Sequence, residues 1–311
     1  MIRSRALKLC GYFLLGIHVF FLLDVFFFHF ISSSKKVLTQ NEGHSQSDSQ
    51  KLSVSVGHKI RKTGAAGEKA HQVILDELNK DYAEQTDPKL ITVIKEDWID
   101  PPWDGAARHV SRKYPSNKET DVLKKLLKKE KGFFFEYIAG LQSFTLYLEQ
   151  EKKWTGLLVE PDSKAYSLLQ KRKRKAYTAN ACLCIKPFPT WEQLELTSYG
   201  NNTKARKFTR NIECQFFPLL SLLLAVKHTD VDFLSLRVSE LGDNDVLNLL
   251  KAIRFDNINI EVISTTISLQ TEAKNVLEYY LENIGFKLIT EISDNSIENT
   301  LIFSKNRDEG L

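Results

Sequence analysis

The chain has 311 residues, 42% hydrophobic and 26% charged, with a formal net charge of +4. That is an ordinary globular composition, long enough for one sizeable domain together with an anchor and a linker. So mild a charge does not by itself argue for nucleic acid, and none is expected as a partner; seven scattered histidines without metal-ligand spacing argue against a zinc or other metal site.

In chain order, residues 1–8 are a short N-terminal segment with Arg3, Arg5 and Lys8, and Leu9 to Ile31 read LCGYFLLGIHVFFLLDVFFFHFI. That run is long enough to cross a hydrocarbon core of about 30 Å as a helix. The cations before it outweigh Lys35 and Lys36 after it, which predicts a cytoplasmic N-terminus and a lumenal remainder. A cleaved signal peptide ending near Ser32-Ser33-Ser34 is the rival reading, but its apolar region is usually about 7 to 15 residues. Asp24 sits within the span, where an ionised carboxylate costs about 2.5 to 3.5 kcal/mol. It either meets another membrane helix or is a polar residue that a very apolar segment tolerates.

Residues 32–70, rich in Ser, Lys, Gln and Gly, read as a flexible stem. Residues 71–131 read as a helical lead-in. It has amphipathic stretches at His71–Leu78 and around Leu90–Ile94, a break at Asp100-Pro101-Pro102, and a helix over Asp121–Lys131. Residues 132–305 then alternate strand and helix, and 306–311 form a tail. Strands are predicted at Phe133–Ile138, Thr155–Val159, Ala176–Ile185, Val231–Val238 and Ile258–Ser264, with a closing pair at Phe286–Ile292 and Thr300–Ser304. Helices are predicted up to Glu149, at Ser163–Arg172 behind a cap at Asp162 or Ser163, at Leu219–Val226 after Pro218, at Asn244–Ile253, and at Ala273–Ile284 before Gly285. Parallel βα units ending in an antiparallel pair predict an α/β, Rossmann-like open sheet with helices on both faces and a ligand crevice at the strand carboxyl ends.

Cys10 lies in the apolar segment, leaving Cys182, Cys184 and Cys214 for the globular part. A bridge from Cys214 to Cys182 or Cys184 and three free buried thiols are both open. Lys171-Arg172-Lys173-Arg174-Lys175 reads as a solvated helix end favoured by the helix dipole, with acidic partners or lipid headgroups as the other option. Asn201-Asn202-Thr203 is a glycosylation sequon in a polar loop.

Five segments carry a resemblance. Trp154–Asp162 (WTGLLVEPD), after Leu146–Glu149 (LYLE), resembles the second motif of FkbM-type methyltransferase domains. Asn180–Leu183, Cys214–Leu219 and Val231–Leu236 agree with it, as does Asp87–Leu90 before Pro101-Pro102. Within that superfamily the chain is most similar to the insect Star family, over roughly Asp87 to Lys305 and including the anchor. The resemblance implies a seven-stranded methyltransferase-type sheet. In competent members it binds S-adenosylmethionine with a Gly-rich turn after the first strand and an acid after the second, and Glu160 matches that acid.

The first turn departs from the pattern E-x-G-A-x-D-G. Here it reads Glu136-Tyr137-Ile138-Ala139-Gly140-Leu141-Gln142, with one glycine, and Tyr137 and Ile138 are expected to crowd a cofactor. The fourth-strand pattern S-L-D-V-E-G departs too, as Ser235-Leu236-Arg237-Val238-Ser239-Glu240, where Arg237 reverses the charge of an acid. The expectation is therefore a non-catalytic domain without cofactor, with Glu160 a vestige held by nearby backbone N–H groups. The alternative is an S-adenosylmethionine-dependent O-methyltransferase. The resemblance further implies a type II membrane protein that helps membrane-bound EGF-type growth-factor precursors leave the endoplasmic reticulum. Its stations would be the endoplasmic reticulum, Golgi, late endosome and plasma membrane, and its partners the membrane and such a precursor or other cargo.

Overall fold

The structure, a computed structural model, describes residues 64–105, 114–139, 143–199, 207–237, 243–268, 271–293 and 298–305. The expected anchor with Asp24 and the stem up to residue 63 lie outside them. Among the described residues no helix is long and apolar enough to cross a membrane.

Helix α1 (Gly64–Lys80) begins inside the segment expected as stem, because Ala65, Ala66 and Ala70 favour a helix. Helix α2 (Pro88–Val93) has proline at its first position and the Asp87 carboxylate accepting the Lys89 N–H at 2.7 Å. A π-helical turn (Ile94–Trp98) leads into β1 (Ile99–Asp100). Helix α3 spans Lys118–Leu126, earlier than expected, because Asn117 caps it through the Thr120 N–H. There follow β2 (Phe133–Tyr137), α4 (Thr145–Lys152), β3 (Thr155–Val159) and α5 (Ser163–Lys171), the last capped by Asp162 on the Ala165 N–H at 2.7 Å.

The third expected strand is two strands, β4 (Tyr177–Ala179) and β5 (Cys182–Leu183), lying in different sheets. A ribbon absent from the sequence expectation comes next, β6 (Thr190–Tyr199) and β7 (Lys207–Phe217). The remaining elements are α6 (Leu219–Ala225), β8 (Asp230–Leu236), α7 (Asp243–Ala252), β9 (Asn259–Ser268), α8 (Thr271–Asn283), β10 (Phe286–Ser293) and β11 (Glu298–Lys305).

The main sheet has eight strands in the order β1-β4-β3-β2-β8-β9-β11-β10. β4, β3, β2, β8 and β9 run parallel, β11 runs against both neighbours, and β1 adds an antiparallel edge through Ile99 opposite Ala179. The sheet is one strand wider than the seven expected, because the lead-in supplies β1. The strand order reverses between β2 and β8, which places the switch point at their carboxyl ends.

Alternation along β2 sorts the two faces. Phe133, Phe135 and Tyr137 join the core beneath α6, α7 and α8, to which Leu90, Ile94 and Trp98 of the lead-in also belong. Phe134 joins the opposite core with Leu123 of α3, Leu148 of α4 and Leu169 of α5. Helices therefore cover both faces.

The small sheet, in the order β5-β7-β6, has its own core of Cys182, Leu194, Leu196 and Cys214. Cys182 and Cys214 are joined across 32 residues, with Cα atoms 6.1 Å apart. Cys184 stays a thiol, donating to the Phe188 carbonyl at 3.3 Å, and burial pushes its pKa up. Replacing Cys182 and Cys214 together by serine is expected to remove roughly 2–4 kcal/mol of stability. Reductant should lower the melting temperature of the parent and leave the double variant unchanged. An equal response of the two proteins to reductant would rule out a stabilising bridge.

Candidate functional site

The carboxyl ends of β3, β2 and β8 lie level at the switch point. Tyr137 is opposite both Val159 and Leu236, and the Arg237 N–H reaches the Tyr137 carbonyl at 3.3 Å. What leaves these ends is polar and held. Glu136, 1% exposed, accepts the hydroxyl protons of Ser143 and, at 2.6 Å, Thr145. Its other oxygen is 3.9 Å from Nε of Arg237. The Arg237 guanidinium continues to Glu119 at 3.3 Å, and Glu119 accepts the Ser264 hydroxyl at 3.1 Å. One cation thus lies between two carboxylates drawn from α3 and β2, beside β8 and β9, where the resemblance implies an acid.

Two sequence expectations meet the geometry differently. Tyr137 does not line an opening. Its position in the alternation sends the ring into the core on one face, fully buried, so the expected crowding by Tyr137 is corrected. Ile138 stands where the resemblance implies the first glycine. It holds a left-handed backbone (φ 56°) that suits glycine and is costly for a β-branched residue. Its N–H donates to the Val159 carbonyl at 2.9 Å and its side chain is buried in the main core. The turn keeps a glycine's conformation with an isoleucine's bulk.

Glu160, directly after β3, is 4% exposed, and its carboxylate accepts the Asp162 N–H at 3.0 Å. Asn180 donates to the Glu160 and Pro161 carbonyls at 2.8 and 3.1 Å. Asp162 caps α5 and also takes an ion pair at 2.7 Å from Arg210 of the ribbon, which ties β7 to the strand exit. Here Glu136, Ile138, Ser143, Glu160 and Asp162 are all buried. The polar side chains described at these strand ends are engaged with the protein itself.

Other expected sites are placed as follows. Asn201 lies outside the described residues, in the segment joining β6 to β7. The basic run is not a uniformly solvated helix end. Arg174 is 6% exposed and binds Glu149 through Nη2 at 2.7 Å and Nε at 2.8 Å, with Nη2 also donating to Thr145 at 2.8 Å. Lys175 donates to the Trp103 and Gly105 carbonyls, and Lys173 lies over the Trp103 ring at 4.2 Å. Among the described residues no group of His, Cys, Asp and Glu is placed to hold a metal. Sequence reasoning missed Glu119, Ser143, Glu149 and Arg210. Only Glu119 carried a local signal, as an acid in the first turn of a capped helix.

No protein-family model matches the chain, and no curated protein matches it. Among solved structures, the M. capricolum TrmK complexed with S-adenosyl-homocysteine matches at 16% identity and a TM-score of 0.36, over 62% of this chain and 70% of that one. The METTL16 MTase domain matches at 12% identity and 0.42, over 71% and 82%. A methyltransferase from Pyrococcus furiosus matches at 11% and 0.36, over 78% and 100%. At these values the likeness carries no argument. The strand order does: with β1 set aside, the sheet runs third, second, first, fourth, fifth, seventh, sixth, and the chain has a Rossmann-like α/β fold with a mostly parallel central sheet.

Proposed function

We propose that the chain is a non-catalytic, membrane-anchored recognition protein of the secretory pathway built on a methyltransferase fold. The observation that carries this is the Arg237 guanidinium, set between Glu119 and Glu136 at the exit of β8. A sulfonium cofactor is cationic and the resemblance implies an acid at this position, whereas here a guanidinium takes up both Glu119 and Glu136 and leaves neither carboxylate free to face such a cofactor. The Star-like reading then supplies the role of assisting export of membrane-bound EGF-type ligand precursors from the endoplasmic reticulum to the Golgi. The type II anchor at Leu9–Ile31 keeps the domain at the membrane of its cargo and raises effective concentration.

The second reading, an S-adenosylmethionine-dependent O-methyltransferase acting in the lumen, is favoured by Glu160 in the position of a ribose-binding acid after β3. Calorimetric titration of the full-length chain in detergent with S-adenosylmethionine separates the two. No saturable heat is expected, and saturable binding at micromolar concentration overturns the non-catalytic reading. The lumenal topology has its own test: glycosidase treatment of the protein from secretory membranes is expected to shift its mobility, and Asn201→Gln is expected to abolish the shift. An unshifted parent would remove the support for lumenal exposure of Asn201.

A further inference from the structure

The opposite end of the sheet carries a feature that the cofactor end does not explain. Among the described residues, six other than glycine hold a left-handed backbone, and four of them are lysines, Lys131, Lys153, Lys173 and Lys227. Each sits in the turn that leads into one strand: Lys131 before β2, Lys153 before β3, Lys173 before β4 and Lys227 before β8. Those strands are consecutive neighbours in the sheet. With strands roughly 4.8 Å apart, one lysine per strand makes a row about 14 Å long across the sheet's amino edge.

Contacts stitch the row together. The Lys131 N–H donates to the Lys152 carbonyl at 3.0 Å, the Thr155 hydroxyl to the Lys175 carbonyl at 3.1 Å, and His228 stacks on Phe133 at 4.2 Å. All four lysines are exposed. Among the described residues Lys131, Lys153 and Lys227 have no ion-pair partner. Lys128 and Lys175 widen the positive rim, and both are exposed.

The helix dipole favours a cation in the last turn of a helix, but that turn is right-handed. The left-handed position favours glycine, and a side chain there costs about 1 kcal/mol. Lysine at four such positions therefore opposes backbone preference each time, and places like charges side by side, three of them with no ion-pair partner among the described residues and Lys173 with the Trp103 ring alone beneath it. What these positions share is an outward positive charge.

We infer that the amino edge of the sheet is a docking surface for an acidic polypeptide segment of a partner protein. Lysines supply diffuse point charges and lack the planar fork that arginine offers to phosphate. Exposed Glu130, Glu151 and Asp230 are interleaved with them, a pattern that a densely charged polyphosphate or anionic bilayer would meet with local repulsion and a mixed-charge protein would not. This inference rests on the reading of the domain as a recognition module and names the class of partner it takes.

Fluorescence anisotropy of a labelled oligoglutamate peptide with the full-length chain in detergent tests it. Binding is expected that weakens with added salt, and the variant Lys131→Gly/Lys153→Gly/Lys173→Gly/Lys227→Gly is expected to bind roughly tenfold more weakly or worse. Because glycine suits all four backbones, that variant should melt at the same or a higher temperature, which separates lost binding from lost folding. A Lys→Asn version at the same positions, also at home in the left-handed region, should behave alike. The inference is overturned if the parent does not bind oligoglutamate or if the variants bind it equally well. Tighter binding to an RNA oligonucleotide or to phosphatidylserine-containing vesicles overturns it too. Failure of the recognition reading itself would appear elsewhere, as saturable uptake of S-adenosylmethionine.

Discussion

Gly156→Ala is expected to cost the domain roughly 3 kcal/mol or more and to lower its melting temperature by about 6 to 12 °C. Gly156 lies in β3 opposite Phe134 of β2, in the middle of the parallel sheet. A methyl group there would stand 2.3 Å from the Phe134 ring and 2.4 Å from the Phe134 carbonyl oxygen. A ring can turn away, but the carbonyl is part of the sheet, so relief requires moving β3 from β2. That movement would also pull apart the two strand ends that present Glu136 and Glu160.

Gly285 provides the contrast. Nothing lies within 4 Å of its Cβ position, yet its φ of +92° disfavours any side chain. Gly285→Ala is therefore limited to about 1 kcal/mol of backbone strain. Equilibrium unfolding in urea ranks the two variants, and a Gly156→Ala protein as stable as Gly285→Ala would show that β2 and β3 do not approach so closely.

How much of this was legible depends on how local the cause is. The strands β2, β3, β8 and β9 announce themselves as strongly apolar stretches interrupted by single polar residues such as Glu136, Asp232 and Glu261, because both faces of a central parallel strand are largely buried. Helix α5 is announced by Asp162, whose cap acts three residues away. β1 is two residues long and is a strand only because Ile99 and Asp100 meet Ala179 and Thr178, about which its own neighbours say nothing. The β6–β7 ribbon is half exposed, with Leu194 and Leu196 inward and Trp191 outward, so its signal is an alternation diluted by Glu192, Gln193 and Glu195. In the site, Arg237 was visible as a departure from a motif, but its partner Glu119 is 118 positions away and no periodicity links them. Tyr137 follows strand parity into the core, a direction that its place in a motif does not specify.

Arg174→Met is expected to destabilise the domain by roughly 3–5 kcal/mol, although Arg174 lies in a run of five cations that reads as surface. The side chains of Arg174 and Glu149 are each 4% exposed. Removing the guanidinium leaves the Glu149 carboxylate buried with the Lys175 N–H at 3.1 Å as its remaining donor. Lysine is no substitute, since it cannot reach Glu149 and Thr145 at once with a planar fork. Replacing both partners, as Arg174→Met with Glu149→Leu, removes the stranded charge and is expected to recover most of the loss. Lys171→Ala, an exposed neighbour in the same run, should stay within about 0.5 kcal/mol. Urea midpoints at constant slope provide the comparison, and an Arg174→Met midpoint equal to that of Lys171→Ala would mean the pair is not buried. The consequence reaches the switch point. Thr145 takes the Arg174 donor and gives its own proton to Glu136, so losing Arg174 loosens the acid that faces Arg237. One cation at the base of α5 thereby helps hold the other at the exit of β8, and the polar end of the sheet stands or relaxes as a unit.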